Sequence, residues 1–165
     1  MTTMNEARNE AANEAPAERE LVITRVLDAP RELVYRCWTE PAHLTKWWGP
    51  AGYSAPSITA NPVEGGEWRF CMRDAEGDEH WASGVYLEAV PPARLVFSFR
   101  WDPEEDRPLE DTLITVTFAD RDGKTEMTFH QSGFVTDDSR DGHGTGWRST
   151  FDELARHLAN GEETS

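Results

Sequence analysis

Six short runs between residues 54 and 131 alternate large apolar with polar residues, and turn signals punctuate them. They are Ser54–Ala60, Glu67–Met72, Trp81–Ala89, Leu95–Trp101, Thr112–Ala119 and Glu126–Gln131. Trp68, Phe70 and Met72 share one parity, as do Leu95, Phe97, Phe99 and Trp101, then Ile114, Val116 and Phe118, then Met127 and Phe129. A period of two marks strands buried on one face. Glu64-Gly65-Gly66, Glu76-Gly77-Asp78, Pro91-Pro92 and Arg121-Asp122-Gly123 supply the turns. Consecutive hairpins predict an antiparallel sheet with one face against the core.

The flanking segments say what covers that face. Glu20–Asp28 reads as a further strand. Pro30 suits a helix's first turn. Leu33, Val34, Cys37 and Trp38 then fall on one helical face, and Ala42–Trp48 forms a second short helix stopped at Gly49-Pro50. Near the C-terminus Trp147, Phe151, Leu154 and Leu158 make one stripe of a long helix, with Asn160-Gly161 as its C-cap. The predicted class is α+β: a curved antiparallel sheet around a long C-terminal helix, with two short helices after the first strand. Gly142, Gly144 and Gly146 cost about 1 kcal/mol each against Ala inside a helix, so that helix is expected to start late, near Thr145. Residues 1–19 lack an apolar stripe and read as a disordered tail, 20–161 as one domain, and 162–165 as a second tail.

Composition excludes some partners. The net charge of −15 repels phosphate backbones and anionic lipid, so neither nucleic acid nor a membrane is expected as a partner. No apolar run suggests a secretion signal or a bilayer span, and the expected location is the cytoplasm. Cys37 and Cys71 fit neither a disulfide framework nor a zinc motif. The histidines at 43, 80, 130, 143 and 157 show no paired ligand spacing, so no metal or cofactor is expected. Asp120-x-Asp122-Gly123 lacks the remaining ligands of a calcium loop. Gly142-x-Gly144-x-Gly146 lacks the lysine of a phosphate loop. No serine sits in a nucleophile elbow.

Specific residues also carry a resemblance. Ala29-Pro30 is followed by Pro41-x-x-Leu44-x-x-Trp47-Trp48-Gly49-Pro50 and by Gly65-Gly66-x-Trp68. Gly84 and Glu88 precede Pro91-Pro92-x-Arg94-Leu95, and Ser132-Gly133-Phe134 and His143-x-x-Gly146-Trp147 come later. Together these are similar to the START-like (SRPBCC) superfamily, in the branch named for the activator of the heat-shock protein 90 ATPase. The resemblance spans residues 20 to 160. It implies a helix-grip fold with a cavity between the sheet and the C-terminal helix, but not one reaction. At 165 residues the chain has no room for the second domain of the chaperone activator, so a chaperone partner is not expected.

The candidate cavity lining is Trp47, Trp48, Tyr53, Trp68, Phe70, Met72, Phe97, Phe99, Trp101, Phe129, His143, Trp147 and Phe151. Apolar walls with few polar groups suit a small apolar or aromatic ligand. Trp38 and Trp81 are read as exposed. Arg69, Arg100 and His130 alternate with the large apolar residues and are expected to face solvent, while the face of Glu88 is ambiguous. The expected function is binding of such a ligand as carrier, sensor or sequestering protein. The alternatives are a polyketide cyclase- or aromatase-like enzyme, which needs an ionisable group tuned by burial in the cavity, and a chaperone-interaction module. No catalytic residue is identifiable.

Overall fold

The computed structural model describes residues 19–49, 52–103 and 109–159. The expected N-terminal tail up to residue 18, the C-terminal tail and the Asn160-Gly161 cap lie outside them.

The chain opens with β1 (Glu20–Leu27), followed by α1 (Arg31–Thr39) and α2 (Pro41–Trp47). Six strands follow: β2 (Ser54–Ala60), β3 (Glu67–Arg73), β4 (Glu79–Val90), β5 (Arg94–Trp101), β6 (Thr112–Arg121) and β7 (Lys124–Ser132). The last element is α3 (Asp137–Ala159). The seven strands form one antiparallel sheet in the order β1-β7-β6-β5-β4-β3-β2. The sheet curves around α3 as a helix-grip fold. No described helix is long and apolar enough to cross a membrane.

Local chemistry explains the hairpins. Arg121 pairs with Lys124, which leaves the two-residue loop Asp122-Gly123, and both residues have positive φ (57° and 87°). That is the loop whose twist matches the flanking strands. A bulge in β4 between Tyr86 and Glu88 resolves the ambiguous face. Tyr86 pairs with Phe97 on the buried face, whereas Glu88, one residue past Leu87, pairs with Val96 and bonds Arg94 at 3.0 Å. A bulge resets the alternation, which a count of two cannot foresee.

Gly84 is a close-approach position. A Cβ there would lie 1.8 Å from the Ser98 carbonyl oxygen and 2.7 Å from the Trp68 indole nitrogen. Without it, Trp68 Nε1 crosses β4 and donates to Ser98 O at 3.1 Å.

Two expectations need correction. The final helix does not start late: it begins at Asp137, and all three glycines lie inside it. Thr136 Oγ1 accepts the N–H of Ser139 at 3.0 Å, Asp137 and Asp138 sit at the positive end of the helix, and the stripe from Trp147 to Leu158 is buried. Cap, dipole and packing together outweigh the glycine cost. Trp38, read as exposed, is 3% exposed. Its ring lies within 6.4 Å of Trp47, Trp48, Phe97, Phe118, Phe129 and Phe151, at the centre of the core. Trp81 is half-buried on the outer sheet face opposite Cys71, with the Arg69 guanidinium 4.7 Å above its ring. Arg69 and Arg100 are exposed, as the alternation predicts, and His130 is half-buried.

Candidate functional site

Between the start of α3, the strands β3 and β5, and the α2–β2 connection lies a cleft of about 580 Å³. Its floor is a closed ring of five aromatic side chains. Trp48 meets Phe70 (5.0 Å between centroids), Phe70 meets Trp101 (5.7 Å), Trp101 meets Phe99 (5.4 Å), Phe99 meets Trp147 (5.9 Å) and Trp147 returns to Trp48 (5.4 Å). Every contact is edge-to-face, the favoured arrangement for rings of like quadrupole.

α3 contributes Trp147 to this ring, and its Gly142, His143, Gly146 and Thr150 also line the cleft. A Cβ at Gly142 or Gly146 would meet nothing beyond the local helix within 4 Å. These two bare positions therefore give the cleft its depth. Gly144 points the other way, where a Cβ would lie 3.1 Å from Leu21 Cδ1 and 2.9 Å from an Arg148 guanidinium nitrogen.

Polar groups gather at one side. Glu110 bonds the hydroxyl of Ser139 (2.8 Å) and the N–H of Val135 (2.7 Å). Asp138 and Thr136 stand beside them. His80, also in the lining, bonds Asp74 at 3.1 Å, and this bond holds the Asp74 carboxyl below the usual carboxylate range. Trp101 Nε1 donates to His143 Nε2 at 3.0 Å, and His143 Nδ1 lies 2.8 Å from the Ser139 carbonyl oxygen. An indole N–H only donates and a carbonyl only accepts. The His143 ring is therefore neutral, with its proton on Nδ1.

Of the thirteen sequence candidates, Trp48, Tyr53, Phe70, Met72, Phe99, Trp101, His143 and Trp147 line this cleft. Trp47, Trp68, Phe97, Phe129 and Phe151 do not. Trp47 is buried between α1 and α2, donating to the Cys37 carbonyl at 3.0 Å. Trp68 and Phe97 border a separate void of about 30 Å³ beside Tyr86. Phe129 and Phe151 are fully buried against Trp38 and Trp147. Sequence reasoning missed Gly49, His80, Glu110, Thr136, Asp138, Ser139, Gly142, Gly146 and Thr150. Several of these belong to connections, where no periodicity marks a face.

Residues with no paired spacing in the sequence do meet in three dimensions. Cys37, His43 and His157 come together, all buried, with their ligand atoms within 4.8 Å of one another.

The sequence profile of the activator of Hsp90 ATPase homolog 1-like protein family matches residues 28–159. The chain belongs to this family. Its fold is that of other members: the AHSA1 protein from Silicibacter pomeroyi superposes with a TM-score of 0.78 at 23% identity, covering 87% of this chain and 99% of that one. A protein from Chromobacterium violaceum is 27% identical, with a TM-score of 0.74 over 84% of this chain and 96% of its own. A protein from Nitrosomonas europaea is 26% identical, with a TM-score of 0.72 over 91% and 99%. No curated protein matches the sequence.

Proposed function

We propose that this family member binds a small aromatic molecule, neutral or cationic, in the cleft between the sheet and the first turns of α3. The observation that carries the reading is the closed aromatic ring facing the two bare glycines of the helix. Aromatic edges and faces around the ring and missing side chains on the helix leave a slot for a planar guest. A volume of about 580 Å³ lies within the range of small-molecule sites. Glu110 and Asp138 at one side disfavour an anionic ligand.

The state of His143 supports binding rather than proton transfer. It packs against Phe99, Trp101 and Phe134, and both of its nitrogens are engaged. An acid–base catalyst needs a group with a free lone pair or a mobile proton aimed at the substrate. Here the imidazole orients Trp101 instead.

Intrinsic tryptophan fluorescence tests this directly, because Trp48, Trp101 and Trp147 all border the cleft. Titration with neutral, cationic and anionic bicyclic aromatics is expected to give saturable quenching with the first two classes and none with the third. Gly146→Leu, which fills the slot from the helix side, is expected to abolish the response while the protein stays folded. Equal responses from wild type and Gly146→Leu, or no response to any class, would overturn the reading.

A further inference from the structure

At the far end of α3 from the cleft, three helices meet around Cys37 of α1, His43 of α2 and His157 of α3. His157 lies seven residues beyond Thr150, the last residue of α3 that lines the cleft, about 10 Å further along the helix. All three side chains are buried. His43 Nδ1 is 3.0 Å from His157 Nε2 and 3.7 Å from Cys37 Sγ.

Those distances are the edges of a coordination polyhedron. Zinc bonds of about 2.0–2.1 Å to nitrogen and 2.3 Å to sulfur place tetrahedral ligand atoms about 3.3 Å (N to N) and 3.6 Å (N to S) apart. Two edges fit to within a few tenths of an ångström; the third, Cys37 to His157, lies within 4.8 Å, so these two side chains close by up to about 1 Å to enclose an ion. One thiolate and two imidazoles form the mixed soft and borderline donor set that zinc-class ions prefer. The surroundings supply outer support as well. Glu40 places a carboxylate oxygen 3.9 Å from His43 Nε2, the ring nitrogen facing away from the cluster, which puts a negative charge beside the site without a direct hydrogen bond. The indole of Trp47 fixes the Cys37 carbonyl. The His43 side chain is 10% exposed beside a half-exposed Glu40, which gives an ion a route in from solvent.

We propose that Cys37, His43 and His157 form a binding site for one zinc-class divalent ion, which clamps α1, α2 and α3 together. On binding, the Cys37 thiol releases its proton to solvent and its sulfur donates an electron pair to the ion. Each histidine donates a neutral ring nitrogen, and a solvent or other small ligand takes the fourth position. The thiolate and the nearby Glu40 carboxylate offset the ion's two positive charges. This inference is independent of the cleft reading.

Cobalt(II) is the probe, because a tetrahedral thiolate site gives it visible ligand-field bands and a near-ultraviolet sulfur-to-metal transition. The full chain, stripped with chelator and kept reduced without added thiol, is titrated with cobalt and then with zinc. One equivalent of cobalt is expected to saturate both features, zinc to displace it, and zinc to raise the unfolding temperature by several degrees. Cys37→Ser is expected to remove the sulfur band and weaken binding more than a hundredfold, and His157→Gln to weaken it similarly. Glu40→Gln, which removes a nearby charge but no ligand, is expected to weaken binding far less than either. Gly146→Leu leaves all of this unchanged. No saturable spectrum in the wild type, or cobalt binding that survives both the Cys37 and His157 substitutions, would overturn the proposal and leave a hydrogen-bonded Cys–His–His cluster. If one variant does not fold, the wild-type spectrum and the other variant decide.

Discussion

Trp147 on α3 and Gln131 on β7 are joined by a 2.8 Å bond from the indole Nε1 to the amide Oε1, both side chains buried. The Gln131 amide nitrogen continues to Thr112 Oγ1 at 2.9 Å, and that hydroxyl donates to the Phe99 carbonyl at 2.9 Å. The chain of bonds ties Trp147 on α3, through β7 and β6, to β5, which lines the cleft. Gln131→Leu keeps the volume but strands the indole N–H, and is expected to cost about 1–3 kcal/mol. Urea denaturation checks this. A loss below about 0.5 kcal/mol would mean that Trp147 finds another acceptor.

The helical glycines separate by direction. Gly142→Ala and Gly146→Ala each gain helix propensity worth about 1 kcal/mol and meet no neighbour beyond the local helix within 4 Å. Both are expected to raise the melting temperature. Gly144→Ala pushes on Leu21 and Arg148 and is expected to return less than either. Calorimetry of the three single variants gives the ranking, and an equal gain from all three would contradict this account.

Trp38 and Trp81 are expected to differ in the opposite sense from a pair of exposed residues. Truncating Trp38 empties the centre of the core, and Trp38→Ala is expected to cost about 3–5 kcal/mol. Trp38 Nε1 is also buried with no hydrogen-bond partner, so Trp38→Phe is expected to cost clearly less than the alanine change, since it removes that unpaired donor. Trp81→Ala, on the outer face, loses partial burial and the Arg69 stacking, and is expected to cost about 1 kcal/mol. Equilibrium unfolding of the three variants tests the order.

Arg100 grips Asp111 through two bonds, 2.6 and 2.8 Å, and holds its carboxyl below the usual carboxylate range. A carboxyl whose folded value is depressed contributes stability above its unfolded value of about 3.9, and loses it as pH falls through the folded value. The advantage of wild type over Asp111→Asn is therefore expected to be full at pH 7 and to diminish as pH falls below the ordinary carboxylate range. It is also expected to shrink in high salt, because the pair is solvent-exposed. An advantage that does not diminish as pH falls would exclude the ion pair as its source.

Much of this architecture is written in residue parity. Phe97 and Phe99 in β5, or Ile114 and Val116 in β6, alternate because one side of each strand is dry, and Asp122-Gly123 marks its hairpin by backbone preference alone. Parity says which side of a strand faces inward but not what stands opposite. Phe99 and Phe129 read alike in sequence, yet only Phe99 borders the cleft, because α3 withdraws its side chains at residues 142 and 146 and inserts Phe151 further on. Trp38 was misread for the related reason that an apolar stripe on a short helix does not reveal its partner. His43 and His157, 114 residues apart in the chain, leave no spacing to detect, since only the crossing of α2 and α3 makes them neighbours.

On the binding role proposed above, the two inward glycines of α3 would also act as a dial on guest thickness. The helix is held by its cap, its stripe and the sheet, so a change at 142 or 146 alters the slot without moving its walls. A relative with alanine at both places would accept a thinner guest, and one with leucine would accept none. In such a scaffold, preference for a ligand can diverge one methyl group at a time while the aromatic floor stays as it is.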